Sequence, residues 1–189
     1  MSNVSFKGKH MWVGLVSEKQ HESLVELLCE VHAYYNNGSV ISQDMVREHL
    51  FENLLSEKSP HHLIVATNDD GKVVGLAAIT LVYSLVDFAV DQRKHCQLKE
   101  LFVSSSARSQ GVGKSLMSWM ARFAYDKGCR RIDWPVRTWN ERGISFYERL
   151  GAKRVEDRIS YRLSDPCVSE LAFEANPSFD AGDQGRRST

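Results

Sequence analysis

The stretch from Arg108 to Ser115 has the residue types of an anion-binding turn. Gly111 and Gly113 carry no side chains that would keep a bulky anion away from the backbone. The N–H groups in the first turn of a helix lie at the positive end of its dipole and bind phosphate oxygens. Arg108 and Lys114 add positive charge. The stretch predicts a phosphate-binding turn; the alternative is that the glycines only let a strand and a helix pack closely.

Two common nucleotide-binding motifs do not describe this turn. Gly113-Lys114-Ser115 matches the end of the nucleotide P-loop, but that motif needs a glycine where this chain has Arg108. The dinucleotide-binding fingerprint needs a third glycine, and Leu116 stands at that place.

The elements around the turn follow from hydrophobic periodicity and from helix caps. The predicted strands are 11–16, 62–67, 73–83, 97–104 and 131–136, followed by two last strands at about 153–156 and 158–163. The predicted helices include residues 24–31, 42–55, 112–123, 144–150 and 165–173. The turn therefore lies between the fourth predicted strand and the helix that follows it.

This order of elements predicts an α/β fold with a mixed central sheet flanked by helices. Strands joined through helices are expected to pair in parallel, and Asp70-Gly71 between two apolar runs predicts an antiparallel hairpin. We expect a flexible N-terminus at 1–10, a single domain over 11–173 and a flexible C-terminal tail at 174–189.

Composition narrows the class of partner. Lys and Arg together number 24, as do Asp and Glu, and this balance predicts no nucleic-acid partner. No apolar run approaches the length of a membrane span, so no membrane association is expected. Four scattered cysteines predict a reducing, cytoplasmic location, buried thiols and no metal site.

Two blocks of sequence together resemble the GNAT superfamily of N-acetyltransferases. The first is the Arg-x-x-Gly-x-Gly pattern of the turn, and the second is the run from Asn140 to Ala152. The resemblance implies a GNAT fold, in which the sheet splays between the fourth and fifth predicted strands, and acetyl-coenzyme A as cosubstrate, without a metal. The residues that it assigns to coenzyme A are Leu101, Phe102, Val103, Arg108, Ser109, Gln110, Gly111, Val112, Gly113, Lys114, Ser115, Asn140 and Tyr147.

Within the superfamily, the chain resembles the spermidine/spermine (diamine) acetyltransferase-like branch, including the thialysine-type enzymes. The matching runs are Trp139-Asn140-Glu141, Ile144–Tyr147, Arg158–Leu163 and Glu30–Tyr34. The resemblance implies acetyl transfer to a primary amine of a polyamine, diamine or lysine-like molecule, by direct attack in a ternary complex. It also implies a homodimer.

Acetyl transfer needs a base for the amine and an acid for the departing sulfur. The resemblance assigns the acid to Tyr147, although its spacing with Ile144 also suits core packing. Glu100 is the first candidate for the base, acting directly or through water, and a solvated strand-edge charge is its alternative. This branch usually has two adjacent acids here, whereas this chain has Lys99 before Glu100. Strand alternation predicts that these two side chains lie on opposite faces.

Three further residues complete the hypothesis. Glu30 and Tyr34 lie about one helical turn apart and could hold a cationic substrate together with Glu100, or be an exposed acid and a half-buried ring. Pro135 lacks an N–H group, and we expect its nitrogen to face the gap between the fourth and fifth predicted strands. The alternative functions are acetylation of an aminoglycoside or of a protein lysine, and a non-catalytic coenzyme A sensor.

Overall fold

A computed structural model describes residues 2–6 and 9–174 of the chain. The chain forms two compact units, residues 1–135 and residues 136–189. The first unit contains the sheet and the glycine turn, and the second contains the block that begins near Asn140. The predicted tail at 174–189 lies outside the described residues apart from Glu174.

The first unit is built on a mixed sheet whose strands lie side by side in chain order. The strands are β1 (Ser2–Phe6), β2 (Lys9–Leu15), β3 (His61–Thr67), β4 (Val73–Tyr83), β5 (Lys94–Val103) and β6 (Ile132–Asp133). Neighbours from β1 to β5 pair antiparallel, and β5 pairs with β6 in parallel. The predicted α/β class and mixed sheet are confirmed. Strand β1 lies within the first ten residues, which were expected to be flexible.

Helices cover the sheet. The first unit has α1 (His21–Tyr35), α2 (Gln43–His49) with a wider π-helical turn at Leu50–Leu54, and α3 (Val112–Asp126). Ser42 caps the start of α2, because its hydroxyl accepts a hydrogen bond from the N–H of Asp44 (3.2 Å). Across the described part of the chain, no helix combines the length and the apolar character that a membrane span requires.

The prediction that helix-linked strands pair in parallel is half right. One helix, α3, joins β5 to β6, and these two strands are parallel. Both α1 and α2 lie between β2 and β3, and those strands are antiparallel. A single helix carries the chain back to the end of the sheet where the previous strand began, so the next strand runs parallel to it. Two successive helices return the chain to the end where the previous strand finished, so the next strand runs antiparallel.

The two faces of the sheet carry separate cores. On one face, Leu24 and Leu27 of α1 pack with Leu63, Val65 and Phe102 of the strands. On the other face, α3 approaches β4 closely at Gly75. A Cβ atom at Gly75 would lie 2.9 Å from Val112 Cγ1 and 3.0 Å from Leu116 Cδ1, so a larger residue would force these side chains to shift.

The second unit contains α4 (Glu141–Arg149) and α5 (Cys167–Glu174). Helix α5 agrees with the helix predicted at 165–173. The strands predicted at 153–156 and 158–163 are wrong, because residues 152–164 form no strand. Ile159 and Tyr161 are 77% and 87% exposed. Alternating apolar residues favour a strand, but a strand also needs a neighbour that pairs with its N–H and C=O groups.

The cysteines were expected to be buried. Cys96 and Cys129 are buried, Cys29 is half-buried and Cys167 is exposed, and all four are free thiols. Burial raises the pKa of Cys96 to about 12, which makes this thiol unreactive.

Candidate active site

The glycine turn connects β5 to α3 through a short 3₁₀ turn, Ser105–Ala107. Gly111 is the N-cap of α3 and has a φ of +86°, in the left-handed region that favours glycine. Ser109 also has a positive φ, +63°. Because the N-cap is a glycine, it offers no side chain that could satisfy the first-turn N–H groups of α3. These features fit the backbone of a phosphate-binding turn.

Arg108 is held at the entrance of the turn by its neighbours. Its Nε donates a hydrogen bond to the carbonyl oxygen of Val103 (3.0 Å). Its guanidinium carbon lies 5.5 Å from the ring centre of Tyr34 and 5.7 Å from that of Phe102. Cation–π packing and one hydrogen bond therefore orient the guanidinium beside the turn.

Glu30 ties α1 to the same connection. Its Oε1 accepts a hydrogen bond from the backbone N–H of Ser105 (2.8 Å). Burial raises the pKa of Glu30, but hydrogen bonds from Ser105 and Ser104 and the charge of Arg108 outweigh burial, so the pKa lies below its usual value. Glu30 is therefore an ionised contact of the turn.

The remaining residues of the turn have different environments. Gln110 Nε2 donates to the carbonyl oxygen of Ser106 (2.9 Å), and Lys114 is exposed. Val112 and Ser115 are buried, and the N–H of Ser115 donates to the carbonyl oxygen of Gly111 (3.0 Å). Lys114 thus keeps its charge at the surface, while the buried pair anchors the start of α3.

The sheet opens beside this turn, as the resemblance implied. The predicted fourth and fifth strands are β5 and β6. Their ladder contains the pairs Cys96↔Ile132 and Gln97↔Asp133 and then ends, whereas β5 continues to Val103. Among the described residues, the edge of β5 at 98–103 therefore has no ladder partner on the β6 side. Pro135 lies beyond the ladder and outside β6, which is shorter than the predicted strand 131–136.

A β-bulge changes the direction of side chains along β5. Leu98 lies opposite Ile79, and Glu100 lies opposite Ala78, so Lys99 is the extra residue. Ile79 and Ala78 are consecutive on β4 and point to opposite faces, as residues of a regular strand do. Leu98 and Glu100 consequently lie on opposite faces, although they are two residues apart.

The bulge brings Glu100 to the face that α1 covers. Ala78 belongs to the core on that face, and Tyr35 at the end of α1 reaches Glu100 there. The Tyr35 hydroxyl donates to Glu100 Oε1 (3.0 Å), and the N–H of Leu101 donates to the same oxygen (3.1 Å). Burial raises the pKa of Glu100 above its usual value, although these two hydrogen bonds lower it.

Lys99 does not follow the predicted alternation. Its Nζ donates to Gln97 Oε1 (3.2 Å), and Gln97 lies opposite Thr80, which is on the same face of β4 as Ala78. Lys99 and Glu100 therefore lie towards the same side of the sheet. The expectation of opposite faces fails because alternation assumes a regular strand, and the bulge interrupts it.

The second unit holds the other two predicted residues. Asn140 is the N-cap of α4, and its Oδ1 accepts a hydrogen bond from the N–H of Gly143 (2.9 Å). Tyr147 lies within α4 and packs edge-on against Phe146, with ring centres 5.3 Å apart. The side chain of Asn140 therefore caps α4. The catalytic role of Tyr147 stays a prediction.

Tyr35 is the residue that sequence reasoning missed. It follows Tyr34 at the end of a helix, which local pattern explains as an exposed aromatic pair. Its partner Glu100 is 65 residues away in the chain. The two residues meet because the β-bulge at Lys99 directs Glu100 towards α1. No local sequence pattern predicts that bulge.

Comparisons with known proteins agree with this geometry. The sequence model of the Acetyltransferase (GNAT) family matches residues 23–152. The thialysine N-epsilon-acetyltransferase of Sus scrofa is 30% identical over 82 residues, which are 42% of this chain and 48% of that protein. The aminoglycoside N(6')-acetyltransferase type 1 of Salmonella typhimurium is 29% identical over 93 residues, which are 49% of this chain and 63% of that protein. The chain thus spans about half the length of the first of these relatives.

A solved structure agrees over a greater length. An integron cassette protein from the mobile metagenome of V. cholerae superposes with a TM-score of 0.77 and 29% identity. The match covers 86% of this chain and 97% of that protein.

Proposed function

The chain belongs to the GNAT acetyltransferase family, and we propose that it transfers the acetyl group of acetyl-coenzyme A to a primary amine of a small molecule. The observation that carries this proposal is the junction of an open sheet edge with a glycine-capped helix: β5 loses its β6 partner after Gln97 and leads directly into the turn at Gly111.

The turn suits the pyrophosphate of coenzyme A. The N–H groups at the start of α3 would bind its oxygens, and Arg108 and Lys114 would supply charge. The unpaired edge of β5, from Leu101 to Val103, would pair with the amide groups of the pantetheine arm, as an added strand does. When bound, acetyl-coenzyme A supplies a thioester whose carbonyl carbon accepts the amine.

Glu100 is the proposed base. A protonated amine cannot attack, and a half-buried carboxylate with a raised pKa accepts its proton more readily than an ordinary one. Tyr147 is the proposed acid that protonates the departing sulfur, and this assignment rests on the family resemblance. Asn140 is proposed as a further coenzyme A contact besides its role as a cap.

The acceptor site is proposed at the end of α1 next to Glu100. Tyr34 offers an aromatic ring to a cation, and Glu30 adds negative charge, although both also contact the turn and Arg108. The named relative acts on thialysine, and this supports a lysine-like, diamine or polyamine acceptor. We also propose a homodimer, which the family resemblance implies, and a cytoplasmic location.

A second candidate acceptor is an aminoglycoside, which the match to the Salmonella enzyme favours. Release of coenzyme A would be measured with spermidine, short diamines, lysine analogues, aminoglycosides and a lysine peptide. Saturable turnover with a slim amine supports the proposal, and a preference for aminoglycosides supports the second candidate. Tight binding of acetyl-coenzyme A without turnover of any acceptor would indicate a sensor instead.

A further inference from the structure

The carboxylate of Glu100 stands just after an irregular point of its strand, so its direction depends on tertiary contacts. We propose that the Tyr35 hydroxyl is a positioning group, which holds one oxygen of Glu100 so that the other faces the acceptor amine. This inference rests on the proposed function of Glu100 as the base.

Two donors meet on the same carboxylate oxygen. The hydroxyl of Tyr35 and the N–H of Leu101 lie 3.0 Å and 3.1 Å from Oε1 of Glu100. Within residues 2–6 and 9–174, no hydrogen bond or ion pair is formed by Oε2. Because an ionised carboxylate has acceptor positions on both oxygens, the arrangement commits Oε1 and leaves Oε2 to take a proton.

The ring of Tyr35 is itself held in place. It meets the ring of Tyr34 edge-on, with centres 5.0 Å apart, and Tyr34 meets Phe102 in the same way at 5.7 Å. Phe102 follows Glu100 by two residues on β5. The hydroxyl is thus positioned by ring contacts from Tyr35 through Tyr34 to Phe102, on the strand that carries Glu100.

Few other groups act on the carboxylate. Opposite it, β4 presents Ala78, which carries no charge, and α1 presents Tyr35. On its own strand, Lys99 bonds to Gln97. Among the described residues, hydrogen bonds from Tyr35 and Leu101 are the contributions that lower the pKa of Glu100 against the effect of burial. Loss of the Tyr35 hydroxyl should therefore raise that pKa further and free the carboxylate to rotate.

The test is Tyr35→Phe, which removes the hydroxyl and keeps the ring stack. We expect the acid limb of the kcat/KM profile to move to higher pH and kcat to fall roughly 3- to 10-fold at neutral pH, with an unchanged KM for acetyl-coenzyme A. Tyr125→Phe is the matched control, since Tyr125 is an exposed tyrosine of α3 that packs against Arg130. It should leave the whole profile unchanged.

Two further measurements separate the possible failures. The carboxyl carbon of Glu100 would be titrated by NMR in the wild-type and Tyr35→Phe proteins, with Glu100→Gln to assign its signal. If the titration midpoint of Glu100 is the same in the wild-type and Tyr35→Phe proteins while Glu100→Gln is inactive, the role of Tyr35 is overturned and the base assignment stands. Full activity of Glu100→Gln would overturn the base assignment and this inference together. A raised midpoint with the shifted acid limb supports both.

Discussion

Glu100 lies on β5 and the glycine turn connects that strand to α3, yet the two regions are built in different ways. The turn is made by neighbours in the chain: Gly111 adopts a positive φ, and Arg108 bonds to Val103 five residues earlier. Glu100 is directed by β4, which defines the bulge, and by α1, which supplies Tyr35.

This difference separates binding of the acetyl donor from proton transfer at the acceptor amine. The turn would bind the acetyl donor with local backbone geometry, and Glu100 would act on the amine through contacts made by distant residues. Substitutions in the turn should therefore change the affinity for the donor, whereas substitutions around Glu100 should change the rate or the affinity for the amine.

Replacing the proposed base should have the largest effect. Glu100→Gln keeps the shape and removes the charge, so kcat should fall roughly 10²- to 10⁴-fold. Calorimetry should show unchanged binding of coenzyme A, because the turn is intact. A parallel loss of coenzyme A affinity would mean that the two regions are not separate.

Gly111→Ala should weaken binding of the donor and leave the rate unchanged, whereas Glu100→Gln should do the reverse. A side chain in the left-handed region costs about 1–2 kcal/mol, so the KM for acetyl-coenzyme A should rise about 10-fold with little change in kcat. Gly128→Ala is the control, because Gly128 also has a φ of +86° and lies at the far end of α3. It should lower Tm without changing this KM.

Lys99→Gln examines the consequence of the bulge. Because Lys99 lies towards the same side as Glu100, its charge should repel a cationic acceptor. Its removal should lower the KM for diamines about 2- to 5-fold in low salt and less in high salt, since exposed charges are screened. An unchanged KM at every salt concentration would place Lys99 away from the acceptor.

Glu30→Gln should have the smallest effect. The lowered pKa of Glu30 means that its hydrogen bond stabilises the fold at neutral pH and that this contribution is lost as pH falls through the acid range. We expect the free energy of unfolding, measured by urea denaturation, to fall by about 0.5–1 kcal/mol at pH 7 after allowance for solvent screening. This difference from the wild type should disappear in acid. Glu26→Gln breaks an exposed pair with Lys72 and should cost less.

Much of the fold was predictable because its signals are local. Periodicity located the strands at 62–67 and 73–83, the helix that starts near residue 42 and the helix after Gly111, all of which the structure contains. The last two strands failed because a strand also depends on a neighbour that pairs with it, and residues 158–163 alternate without forming one. The prediction of parallel pairing failed for β2 and β3 for a similar reason, since their antiparallel pairing depends on the path of two helices.

For the site, the amino-acid sequence was enough to predict the turn and to identify Glu100 as an acid. A glycine at a helix start and a carboxylate in a strand are properties of the residues themselves. The arrangement of β4, β5 and α1 in space sets the face that Glu100 occupies, brings Tyr35 to it and puts Lys99 on the same side. The physical reason is the bulge at Lys99: one extra residue against β4 reverses the alternation, and only the pairing of two strands reveals it.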